Sequence, residues 1–335
     1  MAVTLREVAL RAGVSRSAVS RAFTPGAPVS ERTRARVAAA AAELGYNPSA
    51  LASALTTGRT KLIGLISDNF RNPALLEVFD RFTKGLQDRE FRPLLVNLSG
   101  SMDRDAAIRL LRRYSVDGVI VASSTLPPDF ARGFWDAGLP VVHCFGRSES
   151  EEGAPHLVGV DNRAAGRLAA RTLIVRGYRR IGFLGGPGSA TSTQDRLAGF
   201  RHEARRHAGV GAAESFAASY TFAAGRSEMR RLLASGAPAE AYFCGDDILS
   251  IGAMSALREC GFTVPGHVGV LGMNDMEMAG WAGIELTTIR QPVAAIIDTS
   301  IEMIVAAIRN PGLLPQVRRF DCALVERGTL RPLPA

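Results

Sequence analysis

The sequence predicts a small all-α helix-turn-helix head with a short hinge helix, followed by an α/β body of two subdomains with parallel sheets. Three observations predict it. Residues 1–45 carry three short helical patterns, each with its own start and stop signals. A proline-led run of small residues follows. From Lys61 onward, short apolar runs alternate with longer amphipathic stretches. The length of 335 residues accommodates two or three folding units, and a hydrophobic content of 47% supports true cores.

In the head, Thr4 and Glu7 have the spacing of a capping box, and the helix they open stops at Gly13. Ser15 is a suitable N-cap for a second helix from Arg16 to about Phe23, ended by Pro25 and Gly26. Ser30 caps a third helix, Glu31 to Leu44, closed by Gly45. At about 100° per residue, the second helix sorts into two faces. Arg16, Ser17, Ser20 and Arg21 fall on one side, and Ala18, Val19, Ala22 and Phe23 on the other.

Two helices joined by Ala12-Gly13-Val14 match a helix-turn-helix, whose second helix enters the DNA major groove. Arg16 has a donor fork that fits the O6 and N7 acceptors of guanine. Ser17 and Ser20 share its face, and Arg21 can reach a base or a phosphate. Ser15, Ser30 and Thr33, at helix starts, suit phosphate contacts that set register. The other reading is a small amphipathic helix packed on the protein, with Arg16 merely solvated.

Charge distribution favours the first reading. The net charge is +8, and residues 1–60, with eight arginines, no lysine and three glutamates, hold +5 of it. A basic head on a near-neutral body is the footprint of a nucleic-acid reader, although charge alone equally describes a solvated face.

Asn47-Pro48 and the following Ser-Ala-Leu-Ala-Ser-Ala-Leu read as a helix with proline at its first position. About eight residues are too few for a stable isolated helix, so it should form only on a partner. In the body, nine strands are expected: 62–66, 93–98, 118–122, 140–144, 157–160, 180–184, 241–244, 268–272 and 286–289. Helices lie between most of them, for instance over 103–114, 163–175, 194–207, 225–234, 248–260 and 293–309.

Ligands of open α/β sheets sit outside the carboxyl ends of the strands. There the chain places Asn69, Ser123, Phe145, Arg196, Asp246 and Asn274, among other donors and acceptors, which suits a small polar ligand such as a sugar. Asp161, Asp247 and Asp275, near helix starts, are also readable as caps.

Other chemistry finds little support. Cys144, Cys244, Cys260 and Cys322 are scattered and read as buried thiols, and the five histidines form no ligand pair. No metal and no cofactor are expected. Gly185-Gly-Pro-Gly-Ser matches no phosphate-loop pattern, no nucleophile elbow is present, and the chain is not expected to be an enzyme. No apolar run approaches a membrane span and the N-terminus has no signal-peptide character, so a cytoplasmic protein is expected.

The string Thr4-Leu-Arg-Glu-Val-Ala-Leu-Arg-Ala-Gly-Val-Ser-Arg-Ser-Ala-Val-Ser-Arg resembles the head of the lac repressor family of bacterial transcription regulators. Val29-Ser-Glu-Arg-Thr-Arg-Ala-Arg-Val and Glu43-Leu-Gly-Tyr-Asn-Pro continue the likeness. So do Asp117-Gly-Val-Ile-Val, Asp161-Asn-Arg-Ala-Ala-Gly, Asp195-Arg-Leu-Ala-Gly-Phe and Leu286-Thr-Thr-Ile-Arg-Gln-Pro in the body. The resemblance implies a periplasmic-binding-protein-like effector domain and a repressor that binds a near-palindromic operator as a homodimer.

It implies a headpiece over 1–46, a hinge over 47–60, one subdomain from 61–161 with 292–322, and another from 162–291 with 323–335. It makes Leu51, beside Ala50, a minor-groove wedge, where residue reading alone allows a flexible linker. It adds Tyr220 and Gln291 to Phe145, Arg196, Asp246 and Asn274 in the effector cleft. The chain departs from the family pattern at Ala18, at Thr24-Pro25 and at Ala74-Leu75, and it exchanges the usual Asn and Asp at Asp246 and Asn274. It lacks a leucine-rich heptad after Arg331, so a dimer is expected rather than a tetramer. The alternative to a regulator is a sugar-binding protein with no regulatory role, for which residues 1–55 have no use.

Overall fold

The computed structural model describes residues 3–24, 26–47, 49, 54–55, 57–98, 103–147 and 155–334. The chain falls into two compact units, Met1–Lys61 and Leu62–Ala335.

The first unit contains α1 (Leu5–Ala12), α2 (Arg16–Phe23) and α3 (Glu31–Leu44). Each begins at the expected cap. The Thr4 hydroxyl accepts from the Glu7 amide at 3.4 Å, while the Glu7 carboxylate accepts from the Thr4 amide at 2.7 Å, completing the capping box. Ser15 accepts from the Ala18 amide and Ser30 from the Thr33 amide. Gly13 (φ 61°) and Gly45 (φ 67°) end α1 and α3 in the left-handed conformation that glycine adopts without penalty. Val8, Ala9, Val19, Ala22, Val37 and Ala40 form the core, with Phe23 and Tyr46 in ring contact at 5.8 Å. The proposed hinge residues Pro48, Ala50 and Leu51, and Pro25 in the α2–α3 loop, lie outside the described residues.

The second unit is two layered α/β lobes. The first lobe has a six-stranded sheet in the order β11-β5-β4-β3-β1-β2. Its strands are β1 (Leu62–Ser67), β2 (Arg92–Asn97), β3 (Gly118–Ala122), β4 (Val141–Cys144), β5 (His156–Val160) and β11 (Val317–Phe320). All its pairings are parallel. One face is covered by α4 (Ala74–Gln87) and α11 (Val293–Arg309), through Phe82, Leu86, Ile297, Ile301 and Ile304. The other is covered by α5 (Arg104–Arg113) and α6 (Pro128–Asp136), through Leu111 and Phe134.

The second lobe has the sheet order β12-β10-β9-β8-β6-β7. Its strands are β6 (Arg180–Gly185), β7 (Gly211–Phe216), β8 (Ala241–Cys244), β9 (Gly269–Asn274), β10 (Thr288–Arg290) and β12 (Ala323–Val325), and only the β10–β12 pair is antiparallel. Helices α7 (Asn162–Ile174) and α8 (Thr191–Arg205) pack on one face, and α9 (Phe222–Ala234) and α10 (Asp247–Glu259) on the other. The chain passes between lobes three times: after β5, after β10 and between β11 and β12.

The nine expected strands are all present, and β7, β11 and β12 join them. Each of these three lies at a sheet edge with a single neighbour and has at most one buried residue, so none carries the long buried apolar run that marks a central strand. Two cysteines depart from the expectation of buried thiols, Cys322 being only half-buried. Cys144 and Cys244 are buried, but Cys260 is exposed at the C-terminal end of α10, where the helix has emerged from the core.

Both helix pairs of the second lobe cross where a glycine admits backbone. A Cβ on Gly166 would lie 2.0 Å from the Arg196 carbonyl oxygen, and one on Gly199 2.0 Å from that of Arg163. Gly225 and Gly252 do the same for α9 and α10, with contacts of 2.5 and 2.2 Å to backbone oxygens. No rotamer change relieves a backbone clash. Gly166→Ala is therefore expected to cost about 1–3 kcal/mol or more of stability, read as a lower urea midpoint.

Candidate nucleic-acid interface and ligand cleft

On α2, Val19 and Ala22 are buried while Arg16, Ser17 and Arg21 are exposed and Ser20 is half-buried. The calculated polar edge thus faces outward. The Ser15 and Ser17 hydroxyls lie 2.9 Å apart, and the Ser30 hydroxyl donates to Thr33 Oγ1 at 2.9 Å. Ser15, Ser30 and Thr33 therefore sit at helix starts, beside amides of the first turn.

The arginines of the head divide into two groups. Arg11 pairs with Glu43 at 2.6 Å, and Arg34 and Arg36 donate to backbone carbonyls. Among the described residues, Arg6, Arg16, Arg21 and Arg32 are exposed and their side chains make no hydrogen bond or ion pair. The cationic surface left for a partner is thus smaller than the arginine count suggests, and it includes both arginines of the α2 edge.

In the second unit, a cleft of about 840 Å³, open mouth included, lies between the lobes. Asn69, Ser123, Phe145, Arg196, Tyr220, Asp246, Asn274 and Gln291 all line it. Its polar groups form a connected chain. Gln291 Nε2 donates to Asn274 Oδ1 at 2.5 Å, and Asn274 Nδ2 donates to Asp246 Oδ2 at 2.9 Å. The same carboxylate oxygen accepts from Asn72 Nδ2 of the first lobe at 2.8 Å. Asp246 Oδ1 accepts from the Ile248 amide and caps α10.

Arg196 is 4% exposed; its Nε donates to Asn162 Oδ1 and its Nη1 to the Gly245 carbonyl. On the first lobe, Asp68 accepts from Ser123 at 2.7 Å and from Thr125 at 2.5 Å. Tyr220 bonds Thr193 at 2.7 Å. Further contacts join the lobes at the rim: Ser192 and Thr191 to the Ser124 carbonyl, and Arg147 to Asp195 at 3.3 Å.

Asn72, Thr125 and Asn162 were not among the sequence-derived candidates, although each lies shortly after a strand end, the signal that marked the others. Of the three aspartates readable as caps, Asp161 does cap α7, through the Ala164 amide at 2.8 Å. Asp275 instead pairs with Arg290 and Arg327, at 2.6 and 2.7 Å. Asp247, fully buried, accepts from Thr288 Oγ1 at 2.6 Å and from the Met276 amide at 2.8 Å. Among the described residues, no cluster of His, Cys, Asp or Glu is placed to hold a metal ion, and no helix is long and apolar enough to cross a membrane.

Comparison with known proteins decides the family. Residues 4–49 match the family "Bacterial regulatory proteins, lacI family", and residues 170–330 match "Periplasmic binding protein-like domain". The chain is 32% identical to the "HTH-type transcriptional repressor PurR" of Escherichia coli O139:H28, covering 99% of this chain and 98% of that one. The chain belongs to the lacI family. The "Ribose operon repressor" of Escherichia coli K12 is 30% identical, over 97% of this chain and 99% of the other.

Among solved structures, the lac repressor dimer bound to operator and the anti-inducer ONPF matches with a TM-score of 0.86 at 26% identity, covering 98% of this chain and 99% of that one. The CelR–cellobiose complex matches with a TM-score of 0.71 at 27% identity over 98% and 99%. This lacI-family chain is a DNA-binding transcriptional repressor with an effector-binding domain, and its family is not one of enzymes.

Burial pushes the Asp246 carboxyl up to about 6, and burial of Asp247, with Asp246 adjacent, pushes it up to about 8. Both lie above the unfolded aspartate value of about 3.9, so the folded repressor holds protons that the unfolded chain releases. Stability contributed by the protonated forms is complete below about pH 4 and is lost as pH rises through about 6 and then about 8. Asp247→Asn is expected to shrink the fall in urea midpoint between pH 6 and pH 8; an undiminished fall would place that titration elsewhere.

Proposed function

We propose that the protein is a cytoplasmic homodimer that represses transcription from a near-palindromic operator and is controlled by a small polar effector such as a sugar. The observation that carries this reading is the coexistence, in one chain, of an outward cationic edge on α2 and a two-lobed cleft joined by a polar chain from Gln291 to Asn72. A sugar-binding protein without a regulatory role would have no use for the first.

In this reading, Arg16 and Ser17, with Ser20 and Arg21 beside them, meet base edges and nearby phosphates. Ser15, Ser30 and Thr33 fix register on the backbone, and Ala50 and Leu51 sit at the operator centre, Leu51 as the wedge. The lac repressor dimer solved on its operator supports the dimeric reading, and a helix-turn-helix dimer places its two recognition helices in successive major grooves.

The effector meets Asn69, Ser123 and Phe145 from one lobe and Arg196, Tyr220, Asp246, Asn274 and Gln291 from the other. Acceptors and amide donors outnumber cations here: among the described residues, Arg196 is the single cation of the lining, against Asp68, Glu77 and Asp246. That balance favours a neutral polyhydroxyl ligand over an anion, and the CelR–cellobiose complex is a relative with such a ligand. Binding re-angles the lobes and shifts operator affinity by the difference in effector affinity between the two states, commonly about 1–3 kcal/mol.

Two outcomes are expected. Arg16→Ala should cost about 1–3 kcal/mol on a duplex selected from a random library and relax preference at one base pair; equal weakening on every sequence would make Arg16 a phosphate contact. In a thermal-shift screen of neutral sugars and sugar phosphates, a neutral sugar should raise the Tm of the wild-type chain but not of Arg196→Ala. A shift by phosphorylated sugars alone would reverse the effector class.

A further inference from the structure

Helix α3 reaches back to both other helices of the head through two arginines. Arg36 Nη2 lies 2.6 Å from the Ala12 carbonyl oxygen and 3.3 Å from that of Gly13, at the C-terminal end of α1. Arg34 Nη1 lies 2.5 Å from the Ala22 carbonyl oxygen, and its Nη2 3.4 Å from that of Ala27, at and beyond the C-terminal end of α2. The last carbonyls of a helix have no partner within it and form the negative end of its dipole, so a guanidinium there satisfies both the hydrogen bond and the charge.

In α1 the Gly13 and Val14 amides already serve the Leu10 and Ala9 carbonyls. Arg36 serves the next ones along. A Cβ on Gly13 would stand 2.8 Å from Arg36 Nη2, so the glycine that turns the chain also leaves the guanidinium its seat. The carbonyls engaged belong to the segments that feed into α2, Ala12–Gly13, and lead out of it, Ala22 and Ala27.

We propose that Arg34 and Arg36 are positioning residues for sequence readout: they hold the two ends of α2 at the angle that presents Arg16 and Ser17, and they are not phosphate contacts. The inference rests on α2 being the base-reading helix. It also divides the head's arginines by task. A guanidinium bonded to helix-end carbonyls sets geometry, whereas the bond-free Arg6, Arg16, Arg21 and Arg32 supply attraction to the nucleic acid.

The test uses the full chain, the duplex that the wild type selects from a random-sequence library, and poly(dI-dC) as non-specific duplex. Arg36→Gln is expected to weaken binding to the selected duplex about tenfold, to leave poly(dI-dC) binding within about twofold, and to leave unchanged the slope of log K against log salt. A positioning role lowers the ratio of specific to non-specific affinity without altering counterion release. A slope reduced by about 0.9 identifies a phosphate contact and overturns the proposal. So does a parallel loss on both duplexes, which a merely destabilised head would give. Arg34→Gln should behave as Arg36→Gln does, and a normal ratio in both variants overturns the proposal. If Arg16→Ala changes base preference while both α3 variants keep the wild-type ratio, the proposal falls alone. If the wild type shows no preference between the duplexes, the reading of α2 falls with it.

Discussion

A polar group that leaves water must find a partner, and helix ends pose this demand most sharply because each leaves several backbone groups without one. How this chain meets that demand organises both of its units. In the head, Thr4, Ser15 and Ser30 answer for the amino ends, and glycine turns with Arg34 and Arg36 answer for the carboxyl ends. With those ends satisfied by short-range contacts, eight-residue helices too short to persist alone can pack on a core of little more than valine and alanine.

The cleft uses the same device with a different emphasis. Asp161 and Asp246 cap α7 and α10, and Asp246 then turns its other oxygen to Asn72 and Asn274. A buried carboxylate is tolerated only where donors surround it, and here one of those donors comes from the opposite lobe. Asp246 is thus at once a helix cap, a wall of the cleft and a tie across it. With Asp at 246 and Asn at 274, the carboxylate falls on the capping residue, nearer the positive end of the α10 dipole.

Much of this was legible in the sequence, for identifiable reasons. Helix caps are written in single residues at fixed spacing: the three head helices start where Thr4, Ser15 and Ser30 indicated, and α1 and α3 end at Gly13 and Gly45. Central strands announce themselves by continuous apolar runs. Edge strands such as Gly211–Phe216 do not, because their pairing rests on backbone groups and a single neighbour. In the cleft, the rule that ligands gather beyond strand ends picked out Asn69, Ser123, Phe145, Arg196, Asp246 and Asn274 among the lining residues, and family likeness added Tyr220 and Gln291. It missed Asn72, Thr125 and Asn162, which differ from ordinary loop polar residues only in what they touch. The inward turn of Arg34 and Arg36 was equally invisible, since an arginine on a basic helix looks the same in sequence whether it faces solvent or a carbonyl.

The glycine crossings of the second lobe have a mechanical corollary. Backbone meets backbone within each helix pair of that lobe, so the two helices of a pair are locked against sliding past one another. On the proposed reading, an occupant of the cleft acts through the three chain segments that pass between the lobes, with each locked helix pair carried as one piece.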